Sequence, residues 1–320
     1  MNIRHVVLAC TFVAVVQSAT FADEPIIPAD ARLEKVWSEG KFTEGPAYGP
    51  GGFIYFSDIA NNRIMRYDPR SGKTSIYREP SGRATGLDFD PQGRLVAAEG
   101  NGKGGNRRVT ITEKDGTVRV LADRWQGKRF HSPNDVTVDT KGRVYFSDPR
   151  YSGNDPREIT TESVYRADPD GTVEQIVTDV RKPNGVLLSP DMKILYVADS
   201  DPFSKQFLLA YPLRPDGTVG SKQVLYKFPR SGIDGMCADV EGHIYGAVGG
   251  GKIGGIYVFD PDGKRRGFLH VPESPTNCVF GDPDRKTLYI TAGKSLYRVR
   301  LKIKGFAVYW PEEAGSREGP

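Results

Sequence analysis

Cysteine, histidine and long apolar runs are all scarce in this chain. Three cysteines occur among 320 residues, and Cys10 lies in an N-terminal leader, so two thiols, Cys237 and Cys278, are left to the body of the protein. Two thiols exclude a disulfide-dense scaffold and a zinc cluster. Four histidines form no metal-binding spacing, which excludes the zinc-protease pattern. No G-x-S-x-G occurs, so a strained nucleophile elbow is unsupported. The glycine-rich "GNGKGG" (100–105) is not followed by Lys-Ser/Thr, which removes a phosphate-binding loop. The net charge of +4 is small and scattered, and no nucleic-acid partner is expected.

One apolar run does occur, and it is short. Arg4 and His5 precede "VVLACTFVAVV" (6–16), and "QSATFA" then supplies small residues at Thr20 and Ala22. This is the pattern of a secretory signal peptide over 1–22, with cleavage before Asp23. The run is too short to span a bilayer, so no membrane partner is expected after cleavage. The mature chain is expected to be exported, either periplasmic or secreted.

What is abundant is short alternating strands. "FIYFSD" (53–58), "RVYFSD" (143–148), "ILYVAD" (194–199), "HIYGAV" (243–248) and "TLYITA" (287–292) each follow a turn rich in Gly, Asp or Pro. Helical periodicity is hard to find, and such spacing indicates an all-β protein. Upstream of most of these strands lies a second repeated feature, an opening position with a polar side chain. These are Glu44, Thr85, Asn134, Asn184, Asp234 and Asn277, spaced 41 to 50 residues apart. A repeat of about 40–50 residues with four strands per unit predicts a propeller, here a six-bladed β-propeller over 23–305. "LEKVWSE" (33–39) precedes the first unit and is expected to close the ring by completing the last blade. Residues 306–320 read as a C-terminal tail, with Trp310 packing down.

The innermost strand of each blade lines the central channel, so the six opening positions should converge at one mouth. A single Asn-Gly or Asp-Gly is an ordinary turn signal; six polar side chains in register point to a binding cluster. Long connections between second and third strands, such as 98–108 and 147–163, should overhang the same mouth. Glu44 and Asp234 would repel unless a cation sits between them or one is protonated. Oxygen-only ligands suit one hard divalent ion, Ca²⁺ first, with Zn²⁺, Mg²⁺ or Mn²⁺ as alternatives. Cys237 and Cys278 fall on first strands of neighbouring blades, three residues and one residue past their opening positions. They are expected to lie beyond the roughly 7 Å reach of a disulfide.

Taken together, "EGPAYGPGGFIYFSD", "HSPNDVTVDTKGRVYFSDPRY", "KPNGVLLSPDMKILYVAD" and "GIDGMCADVEGHIY" resemble the gluconolactonase, regucalcin and senescence-marker-protein family. "GNRRVTITEKDGTVRVLADRWQGKRFHSPND" (105–135) is similar to its bacterial gluconolactonases. The resemblance runs from about 40 to 300. It implies a six-bladed propeller with one divalent metal in the channel and a sugar lactone as the small-molecule substrate. It also implies metal ligands at Glu44, Asn184 and Asp234, with Asp234 as general base, and a water or substrate contact at Asn134. Animal members carry Arg two residues before that Asn, where this chain has Ser132, and bacterial members often have Asn where His131 stands. His131, Arg129, Arg107 and Glu99 are candidate outer substrate contacts. Two other readings stay open: an aryl-ester or phosphotriester hydrolase on the same scaffold, and a non-catalytic propeller that binds a sugar or peptide.

Overall fold

The computed structural model describes residues 25–311 apart from 152 and 155. The expected leader at 1–22 and the end of the tail lie outside the described residues. The chain forms six four-stranded antiparallel sheets, with a small extra ribbon at Arg124–Trp125 and Lys128–Arg129. Five blades run in chain order from the channel outward. Their innermost strands are Thr43–Gly49, Ala84–Phe89, Val136–Val138, Pro183–Leu188 and Ile233–Ala238. The sixth blade runs from Pro275–Gly281 through Thr287–Ala292 to Ser295–Arg300, and Glu34–Trp37 pairs antiparallel with that third strand as the fourth. Each innermost strand contacts the next around the ring, the sixth meeting the first.

Two residues of the repeated second strand explain why the motif recurs. Its tyrosine, at positions 55, 145, 196, 245 and 289, is buried between blades. Tyr145, for example, packs against Val186 and Leu188 of the following blade. The hydroxyls of Tyr145, Tyr245 and Tyr289 donate to Asp139, Asp239 and Asp282 in far-face turns, at 3.3, 2.9 and 2.8 Å. The ring supplies apolar area while its polar end is satisfied, as a buried tyrosine requires.

The aspartate that ends the motif works at the opposite end. Asp58 accepts from Lys41 N and Phe42 N, Asp148 from His131 N and Ser132 N, and Asp199 from Arg181 N and Lys182 N, at 2.6–3.3 Å. In each case the two N–H groups lie three and two residues before an opening position. The carboxylate therefore clamps the chain just where it enters the inner strand.

The inner strands are irregular at the same place. Pairing with the second strand slips between Glu44 and Ala47, Ala84 and Leu87, Pro183 and Val186, Ile233 and Met236, and Pro275 and Asn277. In the third blade, Asn134 N donates to Ser147 O and Ser147 N to Asp135 O, so two residues face one. A bulge re-aims side chains and is common beside active sites. Here it occurs in every blade.

Phe306 N donates to Ala238 O, and Phe306–Val308 line the space at the other end of the channel. Trp310 packs on Tyr48 with ring centroids 5.4 Å apart, beneath the Arg285 guanidinium.

Candidate functional site

Five of the six opening positions meet. Glu44, Thr85, Asn134, Asn184 and Asp234 line one cavity of about 310 Å³ at the channel mouth. That volume is at the low end of small-molecule sites, roughly 300–1,000 Å³.

The sixth position is corrected by the strand register. Thr43 and Pro275 occupy equivalent places, each pairing with the last residue of its second strand, Asp58 and Ala292. Ala47 and Val279 are equivalent four residues on, opposite Tyr55 and Tyr289. The counterpart of Glu44 is therefore Thr276, whose hydroxyl donates to Thr43 O at 2.9 Å. Asn277 sits one residue deeper, level with Gly45, Gly86, Asp135, Gly185 and Gly235. The glycines of this layer let neighbouring strands approach: a Cβ on Gly86 would lie 2.6 Å from Asp135 Oδ1, and one on Gly235 2.0 Å from the Asn277 amide carbon. Asp135 and Asn277 fill the space so left. Asn277 Nδ2 donates to Asp135 Oδ1 at 3.4 Å, and Val186 N to Asp135 Oδ2 at 3.0 Å. Together they floor the mouth.

The same shift overturns the expectation for the cysteines. Cys237 and Cys278 are three and two residues past their true opening positions, nearly level, and their sulfurs lie 3.4 Å apart. Both are buried free thiols. Separation is not what keeps them apart.

At the base of the cavity Asn184 Nδ2 donates to Asp234 Oδ1 at 2.7 Å, and Gly45 N donates to Glu44 Oε2 at 2.6 Å. Burial, then the charges of Asp234 and Asp135, push Glu44 well above the usual carboxylate range. Burial raises Asp234 as well, partly offset by its bond from Asn184. Among the described residues neither carboxylate has an ion pair with Lys, Arg or His. Two acids without a cationic partner, Glu44 buried and Asp234 half-buried, beside amide oxygens, fit a hard divalent ion. No three His, Cys, Asp or Glu side chains gather at one point among the described residues, so a third ligand would come from an amide.

Four sequence candidates lie elsewhere. Glu99 is buried and taken up by Arg78, Arg108 and Thr110 at 2.7–3.0 Å. Arg107 is buried with Nε donating to Phe130 O at 2.6 Å. Arg129 donates its guanidinium to Asn106 O at 2.8 Å and its backbone N–H to Glu158 Oε2 at 3.0 Å. His131 is 1% exposed and faces the interior, where burial and then Arg157 lower its pKa. None of the four lines the cavity. The outer wall instead comes from residues the sequence reading passed over, among them Phe42, Arg83, Asn101 and Tyr151. Asn101 and Tyr151 do fall in long connections marked as overhanging.

Burial, named first among the causes for each, raises Asp88, Asp135 and Asp148 to about 7 from the ordinary 3.8. Folding therefore favours their protonated forms. The stability they contribute is complete below about pH 4 and is lost as pH rises through about 7. Metal-stripped protein should melt at a higher temperature at pH 6.5 than at pH 8. His131, with its lowered pKa, opposes this only below about pH 6.5. Calorimetric scans in chelator check it, and a melting temperature that rises with pH over that interval would contradict the burial described.

An all-β six-bladed propeller with an oxygen-lined, acidic channel mouth defines the class of this protein. The family described as "SMP-30/Gluconolactonase/LRE-like region" matches residues 42–294, and the chain belongs to it. The gluconolactonase of Zymomonas mobilis is 32% identical over 312 residues, covering 88% of this chain and 85% of that protein. The pentonolactonase of Haloferax volcanii is 32% identical over 252 residues, 78% of this chain and 80% of that protein. Among solved structures, a gluconolactonase from Xanthomonas campestris superposes with a TM-score of 0.77 at 30% identity, covering 87% of this chain and 91% of the other.

Proposed function

We propose that this chain hydrolyses a sugar lactone in the cavity at the channel mouth, with one divalent cation, Ca²⁺ foremost, held by Glu44, Asn184 and Asp234. The lactonase relatives support a hydrolase of carboxylic esters. The observation that carries the site is the pair of carboxylates, Glu44 buried and Asp234 half-buried, facing a cavity and unmatched by any cationic ion-pair partner among the described residues. When bound, such an ion supplies positive charge that polarises a carbonyl and stabilises an oxyanion.

The chain's own residues do the rest. Asp234 takes the proton of the attacking water as general base. The water oxygen bonds to the lactone carbonyl carbon, the ring C–O bond breaks, and the proton passes to the departing ring oxygen. The product is an open-chain hydroxy acid. Asn134, half-buried on the same wall, orients water or substrate. The apolar leader supports action outside the cytoplasm, and a mature N-terminus at Asp23 would establish it.

A panel of lactones, aryl esters and phosphotriesters, assayed with and without chelator, tests the reading. Lactone turnover that chelator abolishes is expected; chelator-resistant turnover removes the metal, and turnover of esters alone removes the lactone. Glu44→Gln should weaken calcium binding more than Asn134→Ala does, because hard-cation affinity follows ligand charge. Titration calorimetry of the metal-free protein measures this, and equal affinities in the two variants would place the ion elsewhere.

A further inference from the structure

The positions two residues before the openings form a second ring above the first. Three of them, Phe42, Arg83 and Ser132, line the cavity, and a fourth, Lys182, carries the ring's other cation. Lys182 is neutralised: its ammonium sits 3.0 Å from Glu162 and donates to Arg150 O at 2.8 Å. Arg83 is different. Among the described residues its guanidinium has no ion pair or hydrogen bond, and no other Lys, Arg or His lines the cavity.

Its backbone is built to put it there. The second blade breaks the clamp used by the first, third and fourth, since Glu99 replaces the aspartate and is held by arginines. Arg83 N donates instead to Asn62 Oδ1 at 2.6 Å, and Arg83 O accepts from Gly100 N at 3.0 Å. These bonds hold Arg83 at φ +56°, a left-handed conformation that is uncommon outside glycine and clusters at functional sites.

We infer that Arg83 is a specificity residue that binds an anionic group on the substrate's end remote from the lactone carbonyl. The inference rests on the lactonase reading. With a divalent ion between Glu44 and Asp234, the charges at the base cancel and the Arg83 charge is left unmatched in the cavity. A guanidinium is best satisfied by a planar or tetrahedral oxyanion in a two-pronged bond. The substrate class is therefore a sugar lactone carrying a carboxylate or phosphate on its terminal carbon.

The test compares the wild type with Arg83→Asn and Arg83→Gly, both compatible with φ near +56°, and with Arg83→Lys. Substrates are glucono-1,5-lactone, a glucaric acid lactone and 6-phosphogluconolactone. The wild type should show the lower KM for one or both acidic lactones, and which one distinguishes carboxylate from phosphate. Asn and Gly variants should raise that KM about 10–100-fold, as for loss of a charge-assisted hydrogen bond, with kcat and the neutral-lactone KM within about threefold. Lys should restore part of the preference. Unchanged selectivity in the Asn variant, or equal loss on neutral and acidic lactones, overturns the inference. Calorimetric binding of glucarate and of 6-phosphogluconate against gluconate gives a readout free of turnover. A wild type that hydrolyses no lactone sinks the lactonase reading alone. A wild type that prefers neither glucarate nor 6-phosphogluconate over gluconate, or an Asn variant that keeps the preference, sinks the role of Arg83.

Discussion

Asp234→Asn is expected to lower kcat on a lactone by about 10²–10⁴-fold at saturating metal, the usual contribution of a positioned general base. Asparagine keeps an oxygen at the position and is close to isosteric, so the fold should stand. Metal binding should weaken through the lost charge yet recover when more metal is added, while turnover should not. The bond Asp234 accepts from Asn184 at 2.7 Å would pass to an amide oxygen, which still accepts it, though more weakly than a carboxylate. If Asp234 were merely a turn residue before Gly235, activity and stability would both survive, because asparagine forms turns readily. A variant with near-normal kcat at saturating metal would remove Asp234 from the mechanism.

Gly45→Ala is expected to be the most damaging single methyl group in the ring. Gly45 stands at φ +48°, and a Cβ there would lie 2.1 Å from Thr85 O and 2.6 Å from Gly86 Cα. Both are backbone atoms of the next blade, which cannot rotate aside. Left-handed backbone costs a non-glycine residue roughly 1–2 kcal/mol, and overpacking adds about 1–3 kcal/mol, for a loss of about 2–5 kcal/mol. Gly72→Ala isolates the first cost: Gly72 stands at φ +70° with nothing within 4 Å of its Cβ site, so only roughly 1–2 kcal/mol should go. Denaturant unfolding of the two variants measures the difference. Equal losses would mean that the blades can part at no cost. Because Gly45 also donates its N–H to Glu44, the variant should bind calcium less well even where it folds.

The fold was legible because each blade repeats one supersecondary unit. Period-2 alternation, turn residues and a recurrence near 40–50 residues are local properties, and each unit must stack on another to bury its face. Glu44, Asn134, Asn184 and Asp234 were legible for the same reason, since a repeated position in a ring is a converging position. The chemistry proposed for them rests on residue type: oxygen donors with two acids and no thiol or imidazole.

What the repeat hid was decided by pairing between strands. Sequence spacing aligned Asn277 with the openings, but the bulge in Pro275–Gly281 sits one residue earlier relative to the "NCV" motif, so Thr276 takes the place and Asn277 drops to the floor beside Asp135. A bulge adds a residue without changing composition, so no pattern in the chain marks which residue is extra. That one-residue offset also brought Cys237 against Cys278. Charges behaved likewise. Glu99 and Arg107 lie in a connection expected at the mouth, and Arg129 in the ribbon before the third blade, yet they bind one another's neighbours inside the wall. Arg83, which no repeated position marks, reaches the cavity. Residue type and spacing determined the ring and the oxygen-bearing side chains at its mouth. Which long side chains turn inward depends on which partners neutralise them, and those partners come from other strands and blades.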